Sequence, residues 1–183
     1  TGYRGEMRYG VINDIRALDK NVLKQTVQRY VALGLEKNSK QELPQAPEIP
    51  FPKLAVDTNN LQRLFTELNL NIDKPVVALL PGAEYGEAKR WPIEYYTSLA
   101  EKLNQENFQV WVLGSQKDYA AGMAIASGSN VINLCGKTRL EDSIDLLSVC
   151  TTAVTNDSGL MHIAAAVDIP IVAIYGSSTP DYT

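Results

Sequence analysis

The sequence predicts an α/β chain whose larger part is a doubly wound parallel sheet, and three observations carry that expectation. Short apolar runs without polar alternation recur between residues 75 and 176, the pattern of strands buried on both faces. Segments of helical period separate each run from the next, as crossovers between parallel strands require. Four of the runs end in turns rich in glycine, serine or aspartate: "PGAEYGEAKRWP", "GSQKD", "TNDSG" and "YGSSTPD".

Residues 1–20 hold Gly2, Gly5 and Gly10 among arginines and tyrosines and show no period, so they are expected to be irregular. Over 22–35 the apolar positions Val22, Leu23, Val27, Tyr30, Val31 and Leu35 have helical spacing. "KNSKQELPQAPEIPFPKL" follows, with prolines at 44, 47, 50 and 52. Each proline fixes φ and removes a donor, so this stretch reads as an extended linker. The expected organisation is therefore residues 1–42 as the end of one domain, 43–58 as linker and 59–183 as a second domain.

Beyond the linker, "NNLQRLFTELNL" is a helix and "PVVALLPG" a buried strand. "WPIEYYTSLAEKLNQE" is a helix with Pro92 in its first turn, where a missing N–H costs nothing. "FQVWVLGS", "NVINLCG", "TAVTND" and "PIVAIYG" are the later strands, separated by helices in "KDYAAGMAIAS", "LEDSIDLLSVC" and "GLMHIAAAV". Right-handed crossovers make this a Rossmann-like domain. The chain starts at Thr1 and stops at Thr183 without a closing helix, and it reads as a segment of a longer protein.

Composition narrows the function. With 45% hydrophobic and 21% charged residues the chain is globular, and its net charge of −4 offers no basic stripe for nucleic acid. No apolar run approaches the length of a membrane span. Cys135 and Cys150 lack metal-ligand spacing and read as core thiols of a reduced, cytoplasmic compartment. Neither the dinucleotide fingerprint G-x-G-x-x-G nor a P-loop is present, which argues against a dehydrogenase or a P-loop ATPase. A single histidine and no acidic cluster leave metal-independent handling of a nucleotide diphosphate.

In a sheet of this kind ligands bind beyond the carboxyl ends of the strands, so the four turns are expected to gather on one edge. In "TNDSGLMH" a strand ends near Thr155, and Asp157 or Ser158 suits the N-cap of the next helix. Gly159 lets a ligand approach the backbone, and free N–H groups with the helix dipole favour an anion. His162 lies one turn further on, placed to donate to a phosphate or sugar hydroxyl. Equally, Asp157 and Ser158 are plain caps and His162 a buried, satisfied residue. In "KRWP", Lys89 and Arg90 precede a helix on the ligand side, where a cation neutralises a diphosphate or is simply solvated. Asp118 in "GSQKD" caps a helix or holds a ribose hydroxyl, and Gly176 in "GSSTPD" opens a turn with backbone donors.

Taken together, "TGYRGEMRYGVINDIR", "LPGAEYGEAKRWP", "VLGSQKD", "VTNDSGLMHIAAA" and "YGSSTPDYT" closely resemble the ADP-heptose–lipopolysaccharide heptosyltransferases of glycosyltransferase family 9, the type II branch in particular. The resemblance implies the GT-B fold, two Rossmann-like domains facing a cleft, with this chain supplying the end of the acceptor-side domain and most of the donor domain. It implies inverting, metal-independent transfer of heptose from ADP-L-glycero-D-manno-heptose to the inner-core heptose of lipopolysaccharide, with no cofactor. Asp157, Ser158 and Gly159 then match the donor-binding turn, His162 the histidine of the following helix, and Lys89 the lysine that neutralises the departing diphosphate. Asp118 falls near an acidic position facing the ribose, and Gly176 joins the donor set. The general base, an aspartate of the acceptor-side domain, is expected upstream of Thr1, so this segment alone is expected to bind donor without transferring sugar. Arg4, Glu6 and Arg8 are placed to bind the phosphorylated acceptor or to form structural salt bridges. Peripheral contact with the cytoplasmic face of the inner membrane is implied as well. The competing readings are another GT-B enzyme such as a sugar-nucleotide epimerase, and a non-catalytic nucleotide-binding module.

Overall fold

The computed structural model describes residues 1–4, 10–35, 49–83, 87–128 and 130–180. Glu6, Arg8, the linker stretch 43–48 and the "EYG" of the first turn lie outside the described residues. The chain forms two compact units, Thr1–Phe51 with Thr179–Thr183, and Pro52–Ser178.

In the smaller unit, β1 (Gly2–Tyr3) and β2 (Ile15–Arg16) pair in parallel, in a stretch expected to be irregular. Strands of two residues carry no period, so nothing in the sequence announces them. Helix α1 spans Thr26–Gly34 and begins four residues later than the spacing predicts. Before it, Asp19 turns the chain by accepting from the Asn21 N–H at 2.8 Å. The Arg16 guanidinium donates to Leu35 O at 2.6 Å and Ala32 O at 3.3 Å. It thereby satisfies carbonyls that the end of a helix leaves without partners.

The larger unit alternates α2 (Thr58–Glu67), β3 (Val76–Leu80), α3 (Ile93–Gln105), β4 (Gln109–Val112), α4 (Tyr119–Ala126) and β5 (Val131–Asn133). It continues with α5 (Leu140–Ser148), β6 (Thr152–Asn156), α6 (Gly159–Ala166) and β7 (Ile171–Ile174). The five strands form one parallel sheet in the order β5-β4-β3-β6-β7. Successive residues of β3 serve opposite faces. Val76, Ala78 and Leu80 join Trp111, Leu64, Leu146 and Ala164 beneath α2, α5 and α6. Val77 and Leu79 join Val110, Val112, Tyr96 and Ile125 beneath α3 and α4. The sheet is thus covered on both faces, as the unalternating apolar runs predict.

Helix α2 is fixed to α5 by polar contacts as well as apolar ones. Asp57 caps α2 by accepting from the Asn59 and Asn60 N–H groups. Asp145 and Asp142 on α5 are buried, and the Asn60 amide donates to both, at 2.6 and 3.1 Å. Arg63 completes the set with Asp142 at 2.9 Å.

The order of strands locates the ligand edge. From β3 the chain winds outward through β4 to β5, then returns across the sheet to β6 and β7. The winding therefore reverses between β3 and β6, and the crevice beyond their carboxyl ends is where open α/β sheets bind ligands.

Candidate functional site

A cavity of about 410 Å³ opens at that reversal, within the size range of small-molecule sites. Its wall comes from the loop after β3 (Gly82, Ala83), the turn after β4 (Ser115, Lys117, Asp118) and the start of α6 (Ser158, Gly159, Leu160, Ile163). Arg90 and Leu140 close it. Three of the four expected turns meet here, although some 80 residues separate the first from the third. The fourth stands behind the first. A Cβ added at Gly176 would lie 2.3 Å from Ala88 O, and the Ser177 N–H donates to that same carbonyl at 3.3 Å. Gly176 is thus placed to let its backbone support the turn carrying Lys89, and it does not line the cavity.

Lys89 and Asp157 meet directly, with Nζ to Oδ2 at 2.6 Å. Their side chains are 27% and 15% exposed, so the pair is shielded without being sealed from solvent. The Lys89 ammonium holds the Asp157 carboxyl below the usual carboxylate range, helped by the Ser178 hydroxyl and by His162. A carboxyl depressed in the folded state stabilises the fold above its ordinary pKa, and that contribution is lost as pH falls through the folded value. Lys89→Met is accordingly expected to lower the melting temperature near neutral pH. The gap from the parent should narrow as pH falls below the ordinary carboxylate pKa and close once the folded carboxyl is protonated, and a gap that stays constant through acidification would count against the pair.

With Asp157 turned towards Lys89, capping of α6 falls to Ser158. That residue sits at the N-cap with extended backbone, φ −146° and ψ 169°, yet its side chain makes no capping hydrogen bond. The first N–H groups of α6 thus face the cavity mouth without a side-chain cap. An added Cβ at Gly159 meets nothing within 4 Å, so internal packing does not demand glycine there and the free space belongs to the cavity. His162 is exposed on α6 rather than buried, and it acts on Asp157 through space without lining the cavity.

Asp118 closes the turn after β4 and stands at the cavity wall. Its Oδ2 accepts from the Ser115 N–H at 2.9 Å and the Ser115 hydroxyl at 2.7 Å. Its side chain lies against Gly82 and Gly114, where an added Cβ would come within 3.0 and 2.9 Å of it.

Lys117 was not singled out by the sequence, whereas Arg90 stood beside Lys89 as an expected loop cation. Arg90 lines the cavity and donates to Ala83 O at 3.1 Å. Lys117 faces the same space from the turn after β4. Lys89 ends a 3-10 turn and Arg90 follows it, and neighbouring residues there diverge, so "KR" alone does not say that Lys89 turns to Asp157 while Arg90 lines the wall. The buried Asn156 accepts from the Trp91 N–H and the Tyr96 hydroxyl and donates to Pro81 O. Among the described residues, no group of three or more His, Cys, Asp or Glu side chains is placed to hold a metal ion. No helix among them is long and apolar enough to cross a membrane.

The model of glycosyltransferase family 9 (heptosyltransferase) matches residues 1–183. Lipopolysaccharide heptosyltransferase 2 of Salmonella typhimurium is 44% identical across all of this chain, which spans 55% of that protein's length. The solved structure of E. coli ADP-heptose lps heptosyltransferase II matches the whole chain with a TM-score of 0.85 and 41% identity, over 57% of its own length. E. coli heptosyltransferase WaaC with ADP-2-deoxy-2-fluoro heptose matches 66% of this chain, and 38% of its own, at a TM-score of 0.54 and 28% identity.

Proposed function

Because the chain belongs to glycosyltransferase family 9, the heptosyltransferase family, we propose that it forms the donor-binding part of an inverting GT-B glycosyltransferase. The full enzyme moves heptose from ADP-L-glycero-D-manno-heptose to the inner-core heptose of lipopolysaccharide. It works without a metal, on the cytoplasmic side, touching the inner membrane face peripherally to reach its lipid-linked acceptor. Residues 59–183 form its donor domain, 43–58 the linker, and 1–42 the end of the acceptor-side domain.

The observation that carries this reading is one cavity at the reversal of the sheet, lined by Arg90, Lys117 and the uncapped start of α6, with Lys89 held next to it by Asp157, the residue before Ser158. These groups suit a diphosphate. The α6 N–H groups and Arg90 hold its oxygens, and Lys89 exchanges Asp157 for phosphate as the donor enters. Asp118 and Ser115 serve the ribose side, while Leu140, Leu160 and Ile163 give the nucleoside an apolar wall. Asp157, released from Lys89, faces the heptose hydroxyls, with His162 and Gly159 beside it.

In the transfer step a base outside this chain takes the proton of the acceptor hydroxyl. The oxygen attacks the anomeric carbon from the face opposite ADP as the bond from that carbon to the diphosphate breaks. Negative charge grows on the departing ADP, and Lys89 with the start of α6 stabilises it there. Full-length enzyme supplied with ADP-heptose is expected to release ADP only when lipopolysaccharide ending in its first inner-core heptose is added. Acceptor-independent conversion of a UDP-sugar would favour the epimerase reading instead.

A further inference from the structure

Asn156, the last residue of β6, is fully buried. All the partners of its amide lie in other segments of the chain. Oδ1 accepts from the Trp91 N–H at 3.0 Å and from the Tyr96 hydroxyl at 3.2 Å, and Nδ2 donates to Pro81 O at 2.8 Å. Trp91 directly follows Lys89 and Arg90, Pro81 directly precedes Gly82 and Ala83, and Asn156 itself directly precedes Asp157 and Ser158. One amide therefore pins the three segments that bring cations, cavity wall and helix start together. Trp91 is held from the other side by its ring, edge-on to Tyr96 at a centroid distance of 4.9 Å.

We infer that Asn156 is a positioning residue of the donor site, its amide fixing the approach of the Lys89 ammonium to Asp157, next to the cavity-lining Ser158. The inference rests on the role proposed above for Lys89. Lys89 lies only two residues from the N–H that Asn156 anchors, and its pairing partner Asp157 is the residue after Asn156. The hydrogen bond from the Trp91 N–H to the Asn156 side-chain oxygen thus ties together the two chain segments that carry those side chains. The position needs an acceptor and a donor on one short planar group. Aspartate keeps the acceptor but turns a second oxygen onto the Pro81 carbonyl, driving the loop after β3 away from the end of β6.

The test is a double-mutant cycle in the full-length enzyme: parent, Asn156→Asp, Lys89→Ala and the double variant, each assayed well below its own melting temperature. Asn156→Asp is expected to lower kcat by about tenfold to a hundredfold, with the KM for acceptor unchanged. In the Lys89→Ala background the same change should cost less than about twofold, because the group it places is gone. Parent-like kcat for Asn156→Asp, or an equal loss in both backgrounds, overturns the inference while leaving the role of Lys89 standing. Parent-like kcat for Lys89→Ala instead removes the reading on which the inference rests. If Asn156→Asp does not fold, Tyr96→Phe takes its place in the cycle. It deletes one hydroxyl from the same network and is expected to lower kcat by about fivefold with Lys89 present and not without it. Equal effects in the two backgrounds overturn the inference.

Discussion

Lys89→Ala in the full-length enzyme is expected to lower kcat by about 10²–10³, the usual loss when one group aimed at developing charge is removed. The melting temperature near neutral pH should fall by only a few degrees, since the pair with Asp157 is partly open to solvent. Two effects contribute to the kinetic loss, and they are separable. Without the ammonium, the departing ADP carries its new charge unneutralised, which lowers kcat. Asp157 is also left as an unpaired carboxylate beside the diphosphate seat, which weakens donor binding. Adding Asp157→Asn to Lys89→Ala should therefore restore part of the donor affinity and none of the turnover. Steady-state kinetics with each variant, read beside its melting curve, measure both. Retained turnover in a normally melting Lys89→Ala enzyme contradicts the assigned role.

Trp111→Ala carries the largest expected cost to stability, about 3–5 kcal/mol. Trp111 is fully buried in β4, and its ring meets Phe65 of α2 at 6.2 Å and 77°, an edge-to-face contact. Its indole N–H is satisfied too. With the Gln109 amide oriented to match both neighbours, its oxygen accepts from the indole at 3.2 Å and its nitrogen donates to Asn71 O at 3.1 Å. Truncation opens a cavity beneath α2 and leaves the oxygen of that amide without its indole donor. The turn holding Ser115, Lys117 and Asp118 begins three residues beyond Val112, the end of the same strand, so loosening β4 loosens one wall of the site. Urea unfolding should show the midpoint falling with an unchanged slope, and Trp111→Phe recovering much of the loss.

The central strands were legible because burial on both faces leaves a mark in one dimension: "PVVALLPG" becomes Val76–Leu80, all buried, whereas the equally apolar "PIVAIYG" becomes the edge strand Ile171–Ile174 with Val172 exposed. The ligand edge followed, because parallel strands put all their carboxyl ends together. What stayed hidden depends on side-chain direction or on partners far away in sequence. Asp142 and Asp145 in "LEDSIDLL" look like the solvated face of a helix, yet both are buried because Asn60 waits some 80 residues upstream. The β1–β2 pair is too short to carry a pattern. In the site, residue types pointed to Lys89 and Asp157 separately, and only the fold shows them paired at 2.6 Å. His162, the sole histidine, drew attention by its rarity but stands exposed beside the cavity, whereas Arg90 lines it. Gly176 has a packing reason that the sequence cannot display, the carbonyl of Ala88 against its Cα.

Whether this cavity seats an adenine nucleotide diphosphate with Lys89 beside it is read from thermal unfolding with ADP, with UDP and with no nucleotide, on the parent chain and on Lys89→Ala. A ligand at 100 times its dissociation constant that binds only the folded state adds about 2.7 kcal/mol. The expected result is a clear rise in melting temperature for the parent with ADP, little with UDP, and a much smaller rise with ADP in the variant. A rise with UDP alone, or a rise with ADP that survives loss of Lys89 unchanged, would contradict it.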